Sequence, residues 1–273
     1  MLLSRRAFVR TGLAGGVGLA AAGTYGFAFE RHCVGLTRET VPVVGLPRAL
    51  NGLRIGILTD LHHSSLVPQQ DIVEAVRLLM SERPDLVALL GDYVSWADRS
   101  YIGSCVEALA PLSAPLGVLA ILGNHDDDRT MPRALAARGF DVLLDSRTDL
   151  RIRGETVSVA GLRYWTKRRE VRRLVAGSPR PTILLAHDPR RLTEAAEFGV
   201  PLVVSGHTHG GQIVLPLLGA VAARKYPIAS GTTSLNQTTL FVSRGVGTVL
   251  VPVRLNCPPE AAVITLRAGV VPG

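Results

Sequence analysis

Five short apolar runs constrain what this chain can fold into. They occupy residues 53–59, 86–90, 118–122, 182–186 and 202–205. Runs of this length, bounded by turn residues, read as strands buried on both faces. Helical spacing falls between them. From Gln69 to Arg83 the apolar residues Ile72, Val73, Val76, Leu79 and Met80 follow a helix period, and Pro84 closes it. Residues 101–110, Thr130 to Arg138 and 190–198 read as further helices. Alternating strand and helix defines an α/β chain. After Phe140 the texture turns to shorter strands, at 142–144, 150–152 and 157–159. A charge-rich helix over Lys167 to Arg173, a loop-rich stretch over 216–238 and terminal strands near 239–243, 248–251 and 262–266 complete the reading.

Each of the five runs delivers polar residues at its C-terminal end, the edge where open α/β sheets bind ligands. The deliveries are Asp60 and His62, Asp92, Asn124 and His125, His187, and His207 with His209. Six of the seven histidines lie in or beside these clusters, and only His32 lies outside. The sharpest cluster is Ser205-Gly206-His207-Thr208-His209-Gly210-Gly211-Gln212. Two imidazoles at i and i+2 on a loop can approach one metal from two sides, or two neighbouring metals one each. By itself this stretch reads equally as a polar turn. The whole set weighs against that: carboxylates, a carboxamide and imidazoles are oxygen and nitrogen donors suited to borderline divalent metals. No cysteine joins them. Asp92 stands alone after its run, which suits a bridging carboxylate. Two divalent cations would outweigh two carboxylates and leave a site that attracts phosphate and acidifies a bound water.

The formal charge is +8. Three of the thirty bases, Arg5, Arg6 and Arg10, lie in residues 1–29, which hold no acid; 27 bases then face 22 acids. A mildly basic domain suits an anionic substrate or membrane surface. No basic helix with interleaved aromatics is present, so nucleic acid is not an expected partner. Cys33, Cys105 and Cys257 are too sparse for a disulfide framework or thiolate site and read as buried small hydrophobes. Ser4-Arg5-Arg6-Ala7-Phe8-Val9, followed by an uncharged run from Thr11 to Phe29, reads as an export segment and resembles a twin-arginine signal. It is either cleaved or kept as a membrane anchor by residues 11–29. Residues 30–52 then form a linker and edge segment, and 53–273 the folded domain.

Asp60-x-His62, Gly91-Asp92, Gly123-Asn124-His125-Asp126, His187 and Gly206-His207-x-His209 resemble, in order, the five signature blocks of the calcineurin-like metallophosphoesterases. The signal, the Ser205–Gln212 stretch and the tail Pro252-Val253-Arg254-Leu255-Asn256-Cys257-Pro258-Pro259-Glu260 are similar to the exported YkuE-like subgroup of bacteria. The resemblance implies a four-layer α/β sandwich, two mixed sheets flanked by helices. It implies a dinuclear centre of Mn, Fe or Zn. Asp60, His62 and His209 would hold one ion, and Asn124, His187 and His207 the other, with Asp92 bridging. A metal-bound hydroxide would be the nucleophile, and His125 would bind phosphate and assist the leaving group. In one respect the chain departs from the family: Ser95 stands where many members have an aspartate that steadies the catalytic histidine. Asp98 and Asp126 are the candidate substitutes.

The chain is thus expected to be an exported phosphoester hydrolase, periplasmic or at the cell surface, and monomeric. Its substrate would be membrane- or cell-wall-associated, and its export partner the twin-arginine machinery. Two alternatives are a lipid-linked pyrophosphate hydrolase, similar to UDP-2,3-diacylglucosamine hydrolases, and a non-catalytic metal-binding surface protein. Secondary candidates are His63, as a phosphate contact or exposed neighbour, and Arg244, as an anion contact or plain surface residue. Tyr226 and Trp165 are candidate pocket walls, and Asp188 a histidine partner or loop cap.

Overall fold

The computed structural model describes residues 5–178 and 181–269, without the side chains of residues 5–12 and 14. Ser4 and the side chains of Arg5, Arg6 and Phe8 therefore lie outside the described residues.

Helix α1 (Arg5–Ala28) leads into the edge strand β1 (Gly35–Val43) and then β2 (Arg54–Leu58), α2 (Gln69–Ser81) and β3 (Leu86–Leu89). Next come α3 (Ile102–Leu109), β4 (Val118–Ala120), α4 (Thr130–Ala136) and β5 (Asp141–Val142). The second half holds β6 (Ser146–Ile152), β7 (Glu155–Gly161), α5 (Arg168–Val175), β8 (Thr182–Leu185), α6 (Leu192–Glu197) and β9 (Leu202–Ser205). The hairpin β10 (Gly231–Leu235) and β11 (Thr238–Val242) and the long β12 (Glu260–Ala268) close it. Among the described residues no helix is long and apolar enough to cross a membrane.

The strands form two mixed six-stranded sheets, ordered β1-β12-β2-β3-β4-β5 and β10-β11-β9-β8-β7-β6. Ile55, Ile57, Ala88, Ile121, Val159, Ile183, Leu185, Val204 and Phe241 pack between them. Helices α2, α3 and α4 cover the outer face of the first sheet, through Ile72, Val76, Leu79, Cys105, Leu109 and Leu135. Val171 and Val175 of α5 and Leu192 and Ala195 of α6 cover the second. This is the expected four-layer sandwich. It also explains the uninterrupted runs, since β3, β8 and β9 bury every residue.

The topology gathers the loops. Strands β2, β3 and β4 are parallel neighbours, as are β8 and β9. Pairing continues past the strands: Asp60 N–H donates to Gly91 O at 2.9 Å, and His62 N–H to Asp92 O at 3.0 Å. Gly206 N–H donates to His187 O at 3.2 Å. All five deliveries emerge at one end of the sandwich.

Two sequence expectations fail here. Residues 248–251 form no strand; they run as a loop with Leu250 82% exposed at φ 63°. An apolar run pairs only where a neighbour offers a free edge, and β11 and β12, the strands on either side of this run in the chain, are each paired on both edges. The stretch 216–238 contains β10, whose Thr-Thr-Ser content hides it; Leu235 pairs with Thr238 across a two-residue turn.

Candidate metal centre

Asp60 is fully buried, and its carboxylate accepts the Thr59 hydroxyl at 2.8 Å and the His207 amide at 2.9 Å. Burial alone would raise its pKa, but His209, His187 and His62 outweigh burial and hold it below the usual range. Asp92 is held well below for the same reason, chiefly by His187 against burial. Its Oδ1 accepts the His125 amide at 2.8 Å. Its Oδ2 lies 3.4 Å from His62 Nε2 and 3.2 Å from His187 Nε2, so one oxygen faces both halves of the site.

Three groups of donor atoms converge: Asp60, His62 and His209; Asp92, His187 and His207; and His62, Asp92 and His125. The first two are the sets expected for two ions, less Asn124. Two imidazole nitrogens, His62 Nε2 and His209 Nε2, stand 3.1 Å apart, and His209 Nε2 is 3.3 Å from Asp60 Oδ1. Each needs a cation or a shared proton between them.

The residues fit a metal on independent grounds. Asn124 Oδ1 is buried with no hydrogen-bond partner among the described residues, and His187 Nε2 is buried facing the Asp92 and Asp60 carboxylates at 3.2 Å and 3.8 Å. Such lone pairs are costly unless a cation takes them. His187 Nδ1 meets Leu90 O at 2.7 Å, which fixes the ring and turns Nε2 inward. Close approach excludes side chains around the carboxylates. A Cβ on Gly123 would strike the Asp92 carboxylate, and one on Gly206 the Thr59 hydroxyl and Asp60 carboxylate.

Backbone strain marks the same residues. Asp60, His62, Asp92, His207 and His209 adopt φ of 52°, 46°, 56°, 72° and 52°. Left-handed conformations are uncommon outside glycine and cluster at functional sites, each costing about 1–3 kcal/mol. Nothing in the sequence signals this.

Electrostatically the site sorts its imidazoles. Burial lowers His207 to about 4 and His209 to about 3, leaving both neutral with free lone pairs. Burial also opposes charge on His187, but Asp92 and Asp60 outweigh it and push His187 up to about 10. Burial lowers His125 too.

Neither candidate acid supports His125. Asp98 caps a short turn by accepting Ser100 N–H at 3.0 Å. Asp126 accepts three backbone amides, from Asp92 at 2.7 Å and from Tyr93 and Gly123 at 2.8 Å. Burial and the Asp92 charge raise it to about 7. The amide of Trp96 instead donates to His125 Nδ1 at 3.2 Å, which leaves the neutral ring's proton on Nε2. Ser95 turns to His62, its hydroxyl donating to His62 O at 3.3 Å.

The secondary candidates divide. His63 is buried and satisfied, by Val67 O at 2.9 Å and Ser104 Oγ at 2.8 Å, so it is neither exposed nor in the site. Arg244 donates to Glu260 at 2.7 Å and joins β12 to its loop. Asp188 caps the turn after β8 through Arg190 N–H at 2.9 Å. Tyr226 packs edge-on against His207, ring centres 5.4 Å apart, whereas Trp165 is 79% exposed. Cys33 is exposed, unlike the other two cysteines.

Sequence reasoning missed Tyr164, whose hydroxyl lies 3.3 Å from His207 Nε2, and Trp96, centred 4.5 Å from the His125 ring. An aromatic pair after β7 was visible, but only the fold shows that Tyr164 turns inward. It also missed Arg254, which is fully buried. Arg254 donates to the carbonyls of Gly247 at 2.6 Å, Arg244 at 2.9 Å, Gly245 and Cys257 at 3.1 Å, and His209 at 3.4 Å.

Comparison with known proteins agrees with this geometry. The calcineurin-like phosphoesterase family profile matches residues 53–211. The uncharacterized metallophosphoesterase YkuE of Bacillus subtilis is 29% identical over 97% of this chain and 98% of its own. Phosphodiesterase YaeI of Escherichia coli is 29% identical over 78% of this chain and 82% of its own. The sulfate thiohydrolase SoxB of Thermus thermophilus shares the fold, with TM-score 0.50 and 11% identity over 74% of this chain and 53% of its own. The chain belongs to the calcineurin-like phosphoesterase family and is a metal-dependent phosphoester hydrolase.

Proposed function

We propose that the chain is a dinuclear phosphoesterase that works outside the cytoplasmic membrane. Asp60, His62 and His209 would hold one divalent ion and Asn124, His187 and His207 the second, with Asp92 between them. The observation that carries this reading is the position of Asp92 Oδ2, within 3.4 Å of an imidazole from each set. Mn, Fe and Zn all accept these donors. When bound, the pair supplies a hydroxide nucleophile near neutral pH and neutralises charge on the phosphoryl oxygens.

His125 lies beside both sets, its ring edge-on to His62 with centres 4.8 Å apart. With Nδ1 engaged by the Trp96 amide, its Nε2–H donates to the phosphoryl or leaving oxygen. Tyr164 and Tyr226 flank His207, with ring centres 5.3 Å and 5.4 Å away.

The test is a panel of phosphomonoesters and diesters offered to chelator-stripped protein, re-supplied with one divalent ion at a time. Turnover should return with at least one ion. His125→Ala should lower kcat by about 10²- to 10⁴-fold while metal content is unchanged. Unchanged turnover in that variant would remove His125 from the chemistry.

Export rests on Arg5-Arg6 followed by the uncharged run. A fusion of residues 1–29 to a reporter that functions only after folded export should be active. Replacing both arginines with lysine should silence it; activity in that variant would refute the route.

A further inference from the structure

The metal centre opens into a cleft of about 550 Å³, and His125, His207 and His209 stand at its inner end. Beyond them its walls turn apolar. Ile213, Leu215 and Val221 come from one loop, and Val249, Leu250 and Val251 from another. Lys225 also lines the wall. The same loops carry Leu217 and Leu218, both well exposed. Leu217 and Leu250 sit at φ 66° and 63°, on the outer tips of their loops. Scattered surface leucines are ordinary, but apolar residues concentrated in two loops around one cleft mark a binding surface.

The two loops are fixed to the metal centre. Gln212, three residues after His209, accepts the Val249 amide at 2.6 Å and donates to Val251 O at 2.9 Å. Two residues further, Val253 packs against Gly26, and Arg254 N–H donates to Gly26 O at 3.3 Å. Helix α1 therefore leaves the body beside the lip of the cleft, with Val17, Leu19 and Phe27 exposed. The apolar helix, the leucine tips and the mouth of the cleft share one side of the molecule.

One end of this cleft demands an anion and the rest excludes one. We propose that it takes an amphiphilic phosphoester from a lipid surface. The phosphate lies at the metal centre, the hydrocarbon chain lies along Val221, Val249 and Val251, and Leu217, Leu218 and Leu250 rest on the lipid. This rests on the phosphoesterase reading above and names its substrate class. A small polar ester would leave the apolar walls unused.

The test reads binding, so turnover is not needed. Alkylphosphonates from methyl to decyl, kept below their micelle concentrations, are titrated calorimetrically into metal-loaded full-length protein. Each methylene that enters the cleft should tighten Kd by roughly two- to fourfold, with a heat-capacity change that grows more negative along the series. Val221→Asp should flatten that dependence. Val221 is 45% exposed, so this variant is compatible with folding, and Val221→Asn is a milder second version. Metal-dependent binding of methylphosphonate with no gain for decylphosphonate would overturn the lipid assignment and leave the phosphoesterase reading intact. Metal-dependent binding of neither would overturn both. A chain-length gain that survives in metal-stripped protein and in both Val221 variants places the chain elsewhere, and also overturns the assignment.

Discussion

A proton and a cation compete for the Nε2 lone pair of His187. Without a cation, the Asp92 and Asp60 carboxylates hold that proton up to about pH 10. An ion must displace it, so affinity rises with pH through the neutral range. At about pH 8 Asp126, near 7, is already ionised. Metal binding should then release about one proton, traceable to His187. Calorimetry in buffers of different ionisation enthalpy measures it; heats independent of buffer would refute the competition. For the stability of the cation-free fold the sign is opposite. His187 has a raised pKa, so its contribution to the cation-free fold is complete below about 6.5 and is lost as pH climbs toward 10. Gly123 offers a second residue-scale prediction. Gly123→Ala drives a methyl group into the Asp92 carboxylate. The variant should bind less metal and lose about 10²-fold in kcat, as misplacement on the order of 1 Å does elsewhere. Full metal content with wild-type kcat would show that Asp92 need not stay where it is.

At the scale of elements, much was legible because burial leaves a trace in composition. Strands β2, β3, β4, β8 and β9 are covered on both faces, so each is an apolar run that ends abruptly in polar donors. The donor residues were visible because functional histidines gathered after those runs. Three things left no trace. Residues 248–251 read as a strand, yet they wall the cleft, because an apolar run does not reveal whether an edge awaits it. The support of His125 by the Trp96 amide is a backbone contact that residue identity does not encode. Arg254 stood in the tail without a role, and the fold shows its guanidinium collecting five carbonyls, with no carboxylate on it among the described residues. It holds the loop after β11 against the His209 carbonyl. Replacing it with methionine strands those carbonyls in the interior and should cost about 3 kcal/mol or more. Thermal unfolding checks this; a change under about 0.5 kcal/mol would mean that water or rearrangement replaces the guanidinium at no cost.

Across the whole molecule, two sheets converge on a single site. The first provides Asp60, His62, Asp92, Asn124 and His125, the second His187, His207 and His209, and the core between them sets their spacing. Neither half carries a complete set of donors for the proposed pair. Metal occupancy should therefore report on the packing of one sheet against the other, which no single motif specifies. The most direct measurement is an anomalous difference map from crystals of the full chain grown with manganese. Two peaks roughly 3.5–4 Å apart, flanking Asp92 Oδ2 with Asp60, His62 and His209 on one and Asn124, His187 and His207 on the other, are the predicted result. A single peak, or peaks away from Asp92, would contradict it.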